Sequence, residues 1–226
     1  MTNIVLVHGL WSDGSSWAKV ITELQAMGHV PIAAQLGLES FENDVAAVRR
    51  ALATVTGPVL LAGWSYGGAV IGEAARGVEA VKALAYVAAF APVEGESVSG
   101  LSRRHPGSLV PAHVVVAGDY TYIDRPYFGA VLAADAPAEL VAVAAATQGM
   151  VRIGLDRVKV GSPAWLELPS HYLVATDDCC VPPVLQREMA ERMGASVTEI
   201  ASSHAPVLSR PREVAQFLDR AATQMA

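Results

Sequence analysis

The sequence predicts an α/β fold: a mostly parallel sheet of about six strands with helices on both faces and a short helical cap insertion. Short, nearly continuous apolar runs alternate with segments whose apolar residues recur at helical spacing. This alternation stops near residue 92, in a stretch that contains several prolines, and resumes near residue 169. We therefore assign residues 1–91 and 169–226 to a core and residues 92–168 to a cap insertion.

Apolar runs bounded by polar, glycine or proline residues are the predicted strands. In chain order they read NIVLVH, HVPIAA, VLLAG, VKALAYVAAF, SHYLVAT and SVTEIA. Nearly unbroken apolar strands are typical of a parallel sheet, because helices cover both of its faces.

Apolar residues at helical spacing predict the helices. Those of the core span residues 17–27, 41–55, 67–76, 183–193 and 210–223. Ser40 is expected to cap the second of them. In the insertion, residues 125–134 and 136–147 are predicted as short helices, with Asp124 and Asp135 as their N-caps.

Composition and charge exclude several classes of function. The 226 residues are 52% hydrophobic and carry a net charge of −6 without a basic stripe, so we expect no nucleic-acid partner. The apolar run at the amino terminus is short, and no segment is long enough to span a bilayer. We therefore expect a cytoplasmic protein without a membrane partner, and a homodimer stays an open alternative.

The sequence offers no motif for a metal or a cofactor. The histidines are scattered, and the cysteines, Cys179 and Cys180, are adjacent, so that they could bridge only with strain. No phosphate loop or dinucleotide fingerprint is present. We therefore expect no metal site, no cofactor, and two reduced thiols.

The segment GWSYG at residues 63–67 has the pattern G-x-S-x-G between a predicted strand and a predicted helix. In that context the pattern predicts a nucleophile elbow, a sharp turn that lifts a serine hydroxyl clear of the strand and the helix. The turn crowds the positions two before and two after the serine, where only glycine fits. Ser65 is therefore the candidate nucleophile.

A serine needs a base and a residue that orients the base, and both should follow later strands in the order Ser, Asp or Glu, His. Asp177 and Asp178 come directly after the strand SHYLVAT, and His204 follows the last strand. We favour Asp178 over Asp177 because its spacing to Val181 and Pro182 fits the expected pattern.

An acyl-transfer site also needs donors for the developing oxyanion. The backbone N–H of Tyr66, directly after the serine, is one candidate. The second is the N–H of Leu10 in the loop after the first strand, where Gly9 permits a tight turn. We interpret His8 as a residue that stabilises this loop.

These motifs together resemble the α/β-hydrolase superfamily. VLVHGLWSDGSSW, GWSYGG, ATDDCCVPP and SHAPVLSRP occur in the order of that family and cover the chain from end to end. More narrowly, the chain resembles small bacterial esterase-like hydrolases akin to plant methylesterases and hydroxynitrile lyases, in which a short helical cap interrupts the core. The α/β-hydrolase fold is the architecture that this resemblance implies.

The resemblance implies a serine esterase that cleaves a small carboxylic ester through Ser65, His204 and Asp178 and an acyl-enzyme intermediate. Other chemistries of the same site stay open: hydroxynitrile lyase-like, perhydrolase and carbon–carbon hydrolase activity. Plant lyases carry a lysine after the histidine, where this chain has Ala205, which argues against the first. A ligand-binding receptor that keeps an intact triad is the alternative from a different class.

The expected partner is a small, largely uncharged acyl or aryl ester, because the candidate pocket residues are apolar. The candidate substrate-binding residues are aromatic or sulfur-containing side chains near the catalytic loop or in the cap: Trp11, Tyr122, Tyr127, Phe128, Met150 and Trp165. Arg103, Arg104 and His105 could meet an acidic substrate, but we interpret them as a solvated loop.

Overall fold

The computed structural model describes residues 1–225. The last residue of the predicted core, Ala226, lies outside the described residues. Its strands, labelled β1 to β9 in chain order, are Asn3–Val7, Val30–Ala34, Val59–Trp64, Val81–Val87, Val114–Ala117, Tyr120–Ile123, Val151–Arg152, Ser170–Ala175 and Ser196–Ile200. The main sheet has six strands in the order β2-β1-β3-β4-β8-β9. All its neighbouring strands are parallel, which confirms the predicted sheet.

The helices, labelled α1 to α10, are Ala18–Ala26, Phe41–Leu52, Gly67–Ala74, Val98–Ser102, Val110–His113, Phe128–Leu132, Ala138–Thr147, Pro183–Arg192, Pro206–Ser209 and Pro211–Thr223. Short 3-10 turns occupy Gly14–Trp17, Arg125–Tyr127, Leu155–Arg157 and Ala164–Leu166. Ser40 caps α2 as expected, because its side chain accepts a hydrogen bond from the Asn43 N–H. Within residues 1–225, no helix has both the length and the apolar character that a membrane span requires.

The main sheet separates two apolar layers. Successive side chains of β1 alternate between them: Ile4 faces the layer that contains α1 and α10, and Val5 faces the layer that contains α2, α3 and α8. The sheet is therefore covered on both faces, as predicted for a parallel arrangement.

The order of the strands indicates a site beyond the carboxyl ends of the central strands of this sheet. The chain runs from β1 outward to β2 and then returns to β3 on the other side of β1. Ligands of open parallel sheets bind beyond the carboxyl ends of the strands at such a reversal. The loops that follow β1 and β3 contain Leu10 and Ser65, so these residues meet at the reversal.

The segment between β4 and β8 differs from the predicted helical insertion. It contains a three-stranded antiparallel sheet in the order β5-β6-β7, which the sequence analysis missed. The dipeptide Gly118-Asp119 connects β5 to β6, with Gly118 at a φ of +60°. A short glycine-containing link between two β-branched or aromatic runs is a hairpin signal that could have been recognised in the sequence.

Neither of the two aspartates predicted as N-caps in this segment caps a helix with its side chain, although a 3-10 turn does begin at the predicted residue 125. Asp124 occupies the N-cap position of a 3-10 turn, but its side chain makes no capping hydrogen bond. Pro137, not Asp135, precedes α7. Asp135 instead accepts hydrogen bonds from the backbone and side chain of Ser203, a contact across the fold that local sequence does not indicate.

The first turn of α3 packs directly against the carboxyl end of β1. A Cβ atom added to Gly67 would lie 2.5 Å from the Val7 carbonyl oxygen, and one added to Gly63 would lie 2.6 Å from the Gly67 carbonyl oxygen. Because these neighbours are backbone atoms, they cannot move aside as a flexible side chain could. The two glycines are therefore required by close packing.

We expect Gly67→Ala to destabilise the fold by about 1–3 kcal/mol, the usual cost of overpacking. Gly72→Ala in the same helix is the matched control, because its added Cβ would meet its nearest neighbour at an ordinary 3.4 Å. Removing a mid-helix glycine there should stabilise the fold by roughly 0.5–1 kcal/mol. Urea unfolding of both variants measures the two effects, and equal effects would contradict the packing argument.

Candidate active site

Ser65 lies in the turn between β3 and α3 with a φ of +57°, the left-handed region that a non-glycine residue rarely adopts. Backbone hydrogen bonds on both sides hold it there. Its N–H donates to the Val87 carbonyl at 3.2 Å, and its carbonyl accepts from Gly68 and Phe90, each at 3.0 Å. The conformation predicted for a nucleophile elbow is therefore present and supported by the neighbouring strand β4.

The structure brings Ser65, His204 and Asp178 together in a hydrogen-bonded series. The distance between His204 Nε2 and Ser65 Oγ is 2.9 Å, and that between His204 Nδ1 and Asp178 Oδ2 is 2.7 Å. His204 and Asp178 are both buried, whereas Asp177 is exposed. The choice of Asp178 over Asp177 agrees with this geometry.

Three N–H donors orient the Asp178 carboxylate. Oδ1 accepts from the backbone of Cys180 at 2.7 Å and of Val181 at 2.8 Å, and Oδ2 accepts from Gln186 Nε2 at 2.8 Å. Gln186 is fully buried and was missed by the sequence analysis. The sequence feature that could have identified Gln186 is a polar residue beside Leu185, on the buried side of α8.

The pKa of His204 is raised above the ordinary value of 6.5. Burial on its own lowers the pKa of the imidazole, but the carboxylate of Asp178 outweighs burial. Burial also raises the pKa of the adjacent Cys180 thiol, so that this thiol is uncharged at neutral pH. We therefore attribute the raised pKa of His204 to Asp178.

The loop that carries His204 is fixed from two sides. Trp64 Nε1 donates a 2.8 Å hydrogen bond to the His204 carbonyl, and the two rings lie 5.6 Å apart between centroids. On the other side, Ser203 is hydrogen-bonded to Asp135. Residues from β3 and from the segment between β4 and β8 thus position the imidazole.

The Leu10 and Tyr66 backbone N–H groups suit the predicted oxyanion site. Within residues 1–225 neither donates a hydrogen bond to a protein acceptor. A Cβ added to Gly9 would lie 2.8 Å from the Ser65 Cβ, so the loop before Leu10 passes directly beside the serine. Both free donors therefore border the Ser65 side chain.

His8 stabilises this loop through contacts of both its ring nitrogens. Its Nε2 accepts a 3.0 Å hydrogen bond from the Leu36 N–H, which assigns the proton to Nδ1, 2.9 Å from the Gly9 carbonyl oxygen. Burial lowers the pKa of His8, so the imidazole is neutral in this role. The placement agrees with the interpretation of His8 as a residue that stabilises the loop.

A buried tyrosine–aspartate pair fixes the residue after the serine. The Tyr66 hydroxyl donates to Asp44 Oδ2 at 2.9 Å, and the Leu38 N–H donates to Asp44 Oδ1 at 3.0 Å. Burial raises the pKa of both Asp44 and Tyr66. Asp44 was missed by the sequence analysis, although it interrupts the apolar face formed by Phe41 and Val45 of α2.

A cavity of about 520 Å³ opens above Ser65. Its apolar wall comes mainly from the segment between β4 and β8 and contains Val98, Val110, Pro111, Val114, Val151 and Ile153, together with Leu10, Trp11 and Phe90. The volume is within the range of small-molecule sites, about 300–1,000 Å³.

Trp11 is the predicted substrate-binding residue that lines this cavity. Its backbone has a φ of +51°, and its Nε1 lies 3.4 Å from Thr121 Oγ1. Trp11 also lines a small neighbouring cleft that contains Phe128 and Trp64. Trp11 therefore borders two spaces, of which the larger one is also lined by Ser65.

The other predicted substrate-binding residues do not line this cavity, and their contact with a substrate stays a prediction. Trp165 is buried beneath α3, near Gly72 and Arg192. Phe128 is buried in the neighbouring cleft. The remaining three are surface or half-buried side chains: Tyr127 stacks on His113, Tyr122 lies under Arg125, and Met150 is exposed. Aromatic character alone did not distinguish packing from ligand contact.

Among residues 1–225, no group of three or more His, Cys, Asp or Glu side chains is arranged to hold a metal ion. The ionisable series at Ser65 consists of one imidazole and one carboxylate.

Comparison with known proteins identifies the family to which the chain belongs. The model of the alpha/beta hydrolase family matches residues 4–217, which is nearly the whole chain. The chain belongs to the alpha/beta hydrolase family. This confirms the predictions that the chain belongs to this family and that it is a hydrolase.

Two relatives match over most of their length. The chain is 27% identical over 241 residues to the alpha/beta hydrolase nvfD of Aspergillus novofumigatus, with 97% of this chain and 96% of that protein covered. It is 28% identical over 246 residues to a pyrethroid hydrolase of Sphingobium wenxiniae, with 96% and 86% covered.

A plant structure shares the fold. Tomato methylketone synthase I, solved with 2-tridecanone, superposes with a TM-score of 0.87 at 17% identity, and the match covers 100% of this chain and 99% of that chain. At this identity the likeness shows the fold alone. It agrees with the resemblance to plant members of the family.

We expect Tyr66→Phe to lower the free energy of unfolding by about 1–3 kcal/mol at neutral pH, because it leaves a buried Asp44 oxygen without its donor. The folded-state pKa of Asp44 is raised above its ordinary 3.8, so its protonated form is favoured in the fold. Its contribution to stability is largest below the ordinary pKa and is lost as pH rises through the folded-state pKa.

Because the tyrosine hydroxyl lowers the pKa of Asp44, the variant should raise that pKa further. The loss should therefore shrink as pH falls from 7 toward 4. Urea unfolding at several pH values measures it. Tyr120→Phe is the control, because Tyr120 donates to Glu39 in an exposed pair and its loss should cost less than about 0.5 kcal/mol. A loss independent of pH would contradict the role of Asp44.

Proposed function

We propose that the protein is a serine hydrolase that cleaves a small carboxylic ester through Ser65, His204 and Asp178. The observation that carries this proposal is the hydrogen-bonded series from Ser65 Oγ through His204 to the buried Asp178, at the base of an open cavity. Such a series activates a hydroxyl that is a weak nucleophile on its own.

The reaction proceeds in two acyl-transfer steps. His204 Nε2 takes the proton of Ser65 as Oγ attacks the ester carbonyl, and the Leu10 and Tyr66 N–H groups stabilise the oxyanion. His204 then gives that proton to the departing alkoxide, which leaves an acyl group on Ser65. Water, deprotonated by His204, attacks this acyl group, and the serine recovers its proton when the carboxylic acid leaves.

Asp178 supports both steps by holding one tautomer of the imidazole. Its carboxylate faces Nδ1, so the proton of neutral His204 is on Nδ1 and the lone pair of Nε2 points at Ser65. When the imidazole becomes charged, the same carboxylate stabilises it. The three donors on Asp178 keep the carboxylate in this orientation.

The related proteins support an ester or a similar acyl substrate. The relative from Sphingobium wenxiniae is named a pyrethroid hydrolase, and it matches 96% of this chain. A residue that argues against lyase chemistry is Ala205, which is buried and uncharged directly after the histidine.

We expect steady-state turnover of p-nitrophenyl esters, from acetate to octanoate, that depends on Ser65. Ser65→Ala should lower kcat by at least about 10⁴-fold, because it removes the group that becomes acylated. The chain length with the highest kcat/KM reports the depth of the cavity. Ser196→Ala, an exposed serine of β9, is the matched control and should keep full activity.

Full activity of Ser65→Ala would contradict the mechanism. A single burst of p-nitrophenol without turnover would also contradict it, and would instead favour a ligand receptor with an intact triad. No reaction in spite of covalent labelling by a serine-directed phosphonate would favour a chemistry other than ester hydrolysis.

We expect kcat/KM to rise with pH through the pKa of His204, because only the neutral imidazole accepts the serine proton. This acid limb should lie above 6.5, since Asp178 raises the pKa of His204. Asp178→Asn should move the limb to lower pH and reduce kcat by about 10⁴-fold through the wrong tautomer. Asp177→Asn, which changes an exposed neighbour, is the control. A limb that stays in place in Asp178→Asn would refute the coupling.

A further inference from the structure

The cavity above Ser65 is not uniformly apolar. Two arginines, Arg103 and Arg157, line it together with one acidic residue, Asp156. Both arginines are solvent-exposed, so they stand where the cavity opens. Three serines, Ser99, Ser102 and Ser108, line the same region.

Arg103 differs from the charged residues that follow it. Arg104 forms an ion pair with Glu96, and His105 lies 2.9 Å from Glu188, so both are occupied away from the cavity. Arg103 contacts the uncharged hydroxyl of Ser99 at 3.3 Å. Arg103 is exposed, as expected for a solvated loop, and it also lines the cavity.

Arg157 reaches the cavity from a second element. It ends the 3-10 turn Leu155–Arg157, which follows Gly154 at a φ of +91° and is anchored by the buried Leu155. This turn packs against α4, and Arg103 is the residue directly after α4. Two guanidinium groups are thus presented from adjacent elements of the cap.

Neither arginine forms an ion pair with an acidic side chain within residues 1–225. With Asp156 counted, two positive groups and one negative group leave one net positive charge at the opening. The whole chain, in contrast, carries a net charge of −6. A local positive field on an acidic protein is suited to attract an anionic ligand that the rest of the surface repels.

We propose that the substrate carries a carboxylate at a position remote from the scissile ester, and that Arg103 and Arg157 bind it. This inference rests on the proposed esterase function and specifies its substrate class. Guanidinium groups match the two oxygens of a carboxylate, and the apolar wall formed by Val98, Val110 and Val151 suits a hydrocarbon spacer between the two ends. This proposal differs from the expectation of an uncharged ester, and the experiment below decides between them.

Matched pairs of esters test the proposal. One series places the carboxylate on the acyl chain: p-nitrophenyl half-esters of glutaric, adipic and suberic acid against the pentanoate, hexanoate and octanoate. A second places it on the leaving alcohol: 4-acetoxybenzoate against its methyl ester. In at least one series we expect the carboxylate to raise kcat/KM by about tenfold, mainly through KM, and added NaCl to reduce that preference.

Variants separate binding from structure. Arg103→Gln and Arg157→Gln should each reduce the preference by about threefold, and the double variant should abolish it. Asp156→Asn should change it in the opposite direction, because it removes the negative charge. Arg104→Gln, with the same change of charge at a residue paired to Glu96, should leave the preference as it was.

Two outcomes would overturn the proposal: no preference for the carboxylate in either series, or a preference that persists in the double variant. Both are distinct from failure of the proposed function. If neither the uncharged nor the carboxylate esters show Ser65-dependent turnover, the esterase itself is wrong. If they are turned over and the carboxylate brings no advantage, only the assignment of Arg103 and Arg157 is wrong.

Discussion

The rest of the site depends on the contact between the carboxyl end of β1 and the first turn of α3. There Gly67 lies against the Val7 carbonyl and Gly9 lies against the side chain of Ser65, so neither glycine position has room for a side chain of its own. This approach lets Ser65 hold its left-handed conformation and places the Leu10 N–H beside its hydroxyl. Ser65 and the Leu10 N–H, the proposed nucleophile and oxyanion donor, are therefore positioned by close packing in the core, which is far stiffer than a loop.

Buried polar side chains then fix the remaining parts of the site. Asp44 holds Tyr66, Gln186 holds Asp178, and Asp135 holds the residue before His204. A buried polar group is costly unless it is hydrogen-bonded, so each anchor favours one arrangement of its loop. The proposed oxyanion donors and the proposed base are thus oriented before a substrate arrives, which is the condition under which electrostatic stabilisation of a transition state is most effective.

Sequence patterns predicted the parts of this protein that depend on local geometry. The strands of the main sheet follow from apolar runs, and Ser65 follows from the glycines that its turn requires. His204 and Asp178 could be chosen because each follows a strand, and parallel strands end at one edge. Residues whose role depends on contacts between distant parts of the chain, such as Asp135 with Ser203, could not be predicted from local patterns. Trp165 illustrates the limit, since its aromatic ring suits a pocket but packs beneath α3 instead.

The hydrogen-bonded series and the wall of the cavity come from different parts of the chain, so the residues proposed for catalysis are largely distinct from those proposed to select the substrate. Ser65, His204 and Asp178 follow β3, β9 and β8 of the main sheet, whereas most of the apolar wall and both arginines lie between β4 and β8. A change at Arg103 or Arg157 can alter the charge of the opening without moving the hydrogen-bonded series below it, whereas Asp135 of the same segment contacts the loop of His204. Because Arg103 and Arg157 are exposed, their substitution disturbs little buried packing. The positive opening on an acidic chain can therefore be explained by ligand recognition and is not required by the stability of the fold.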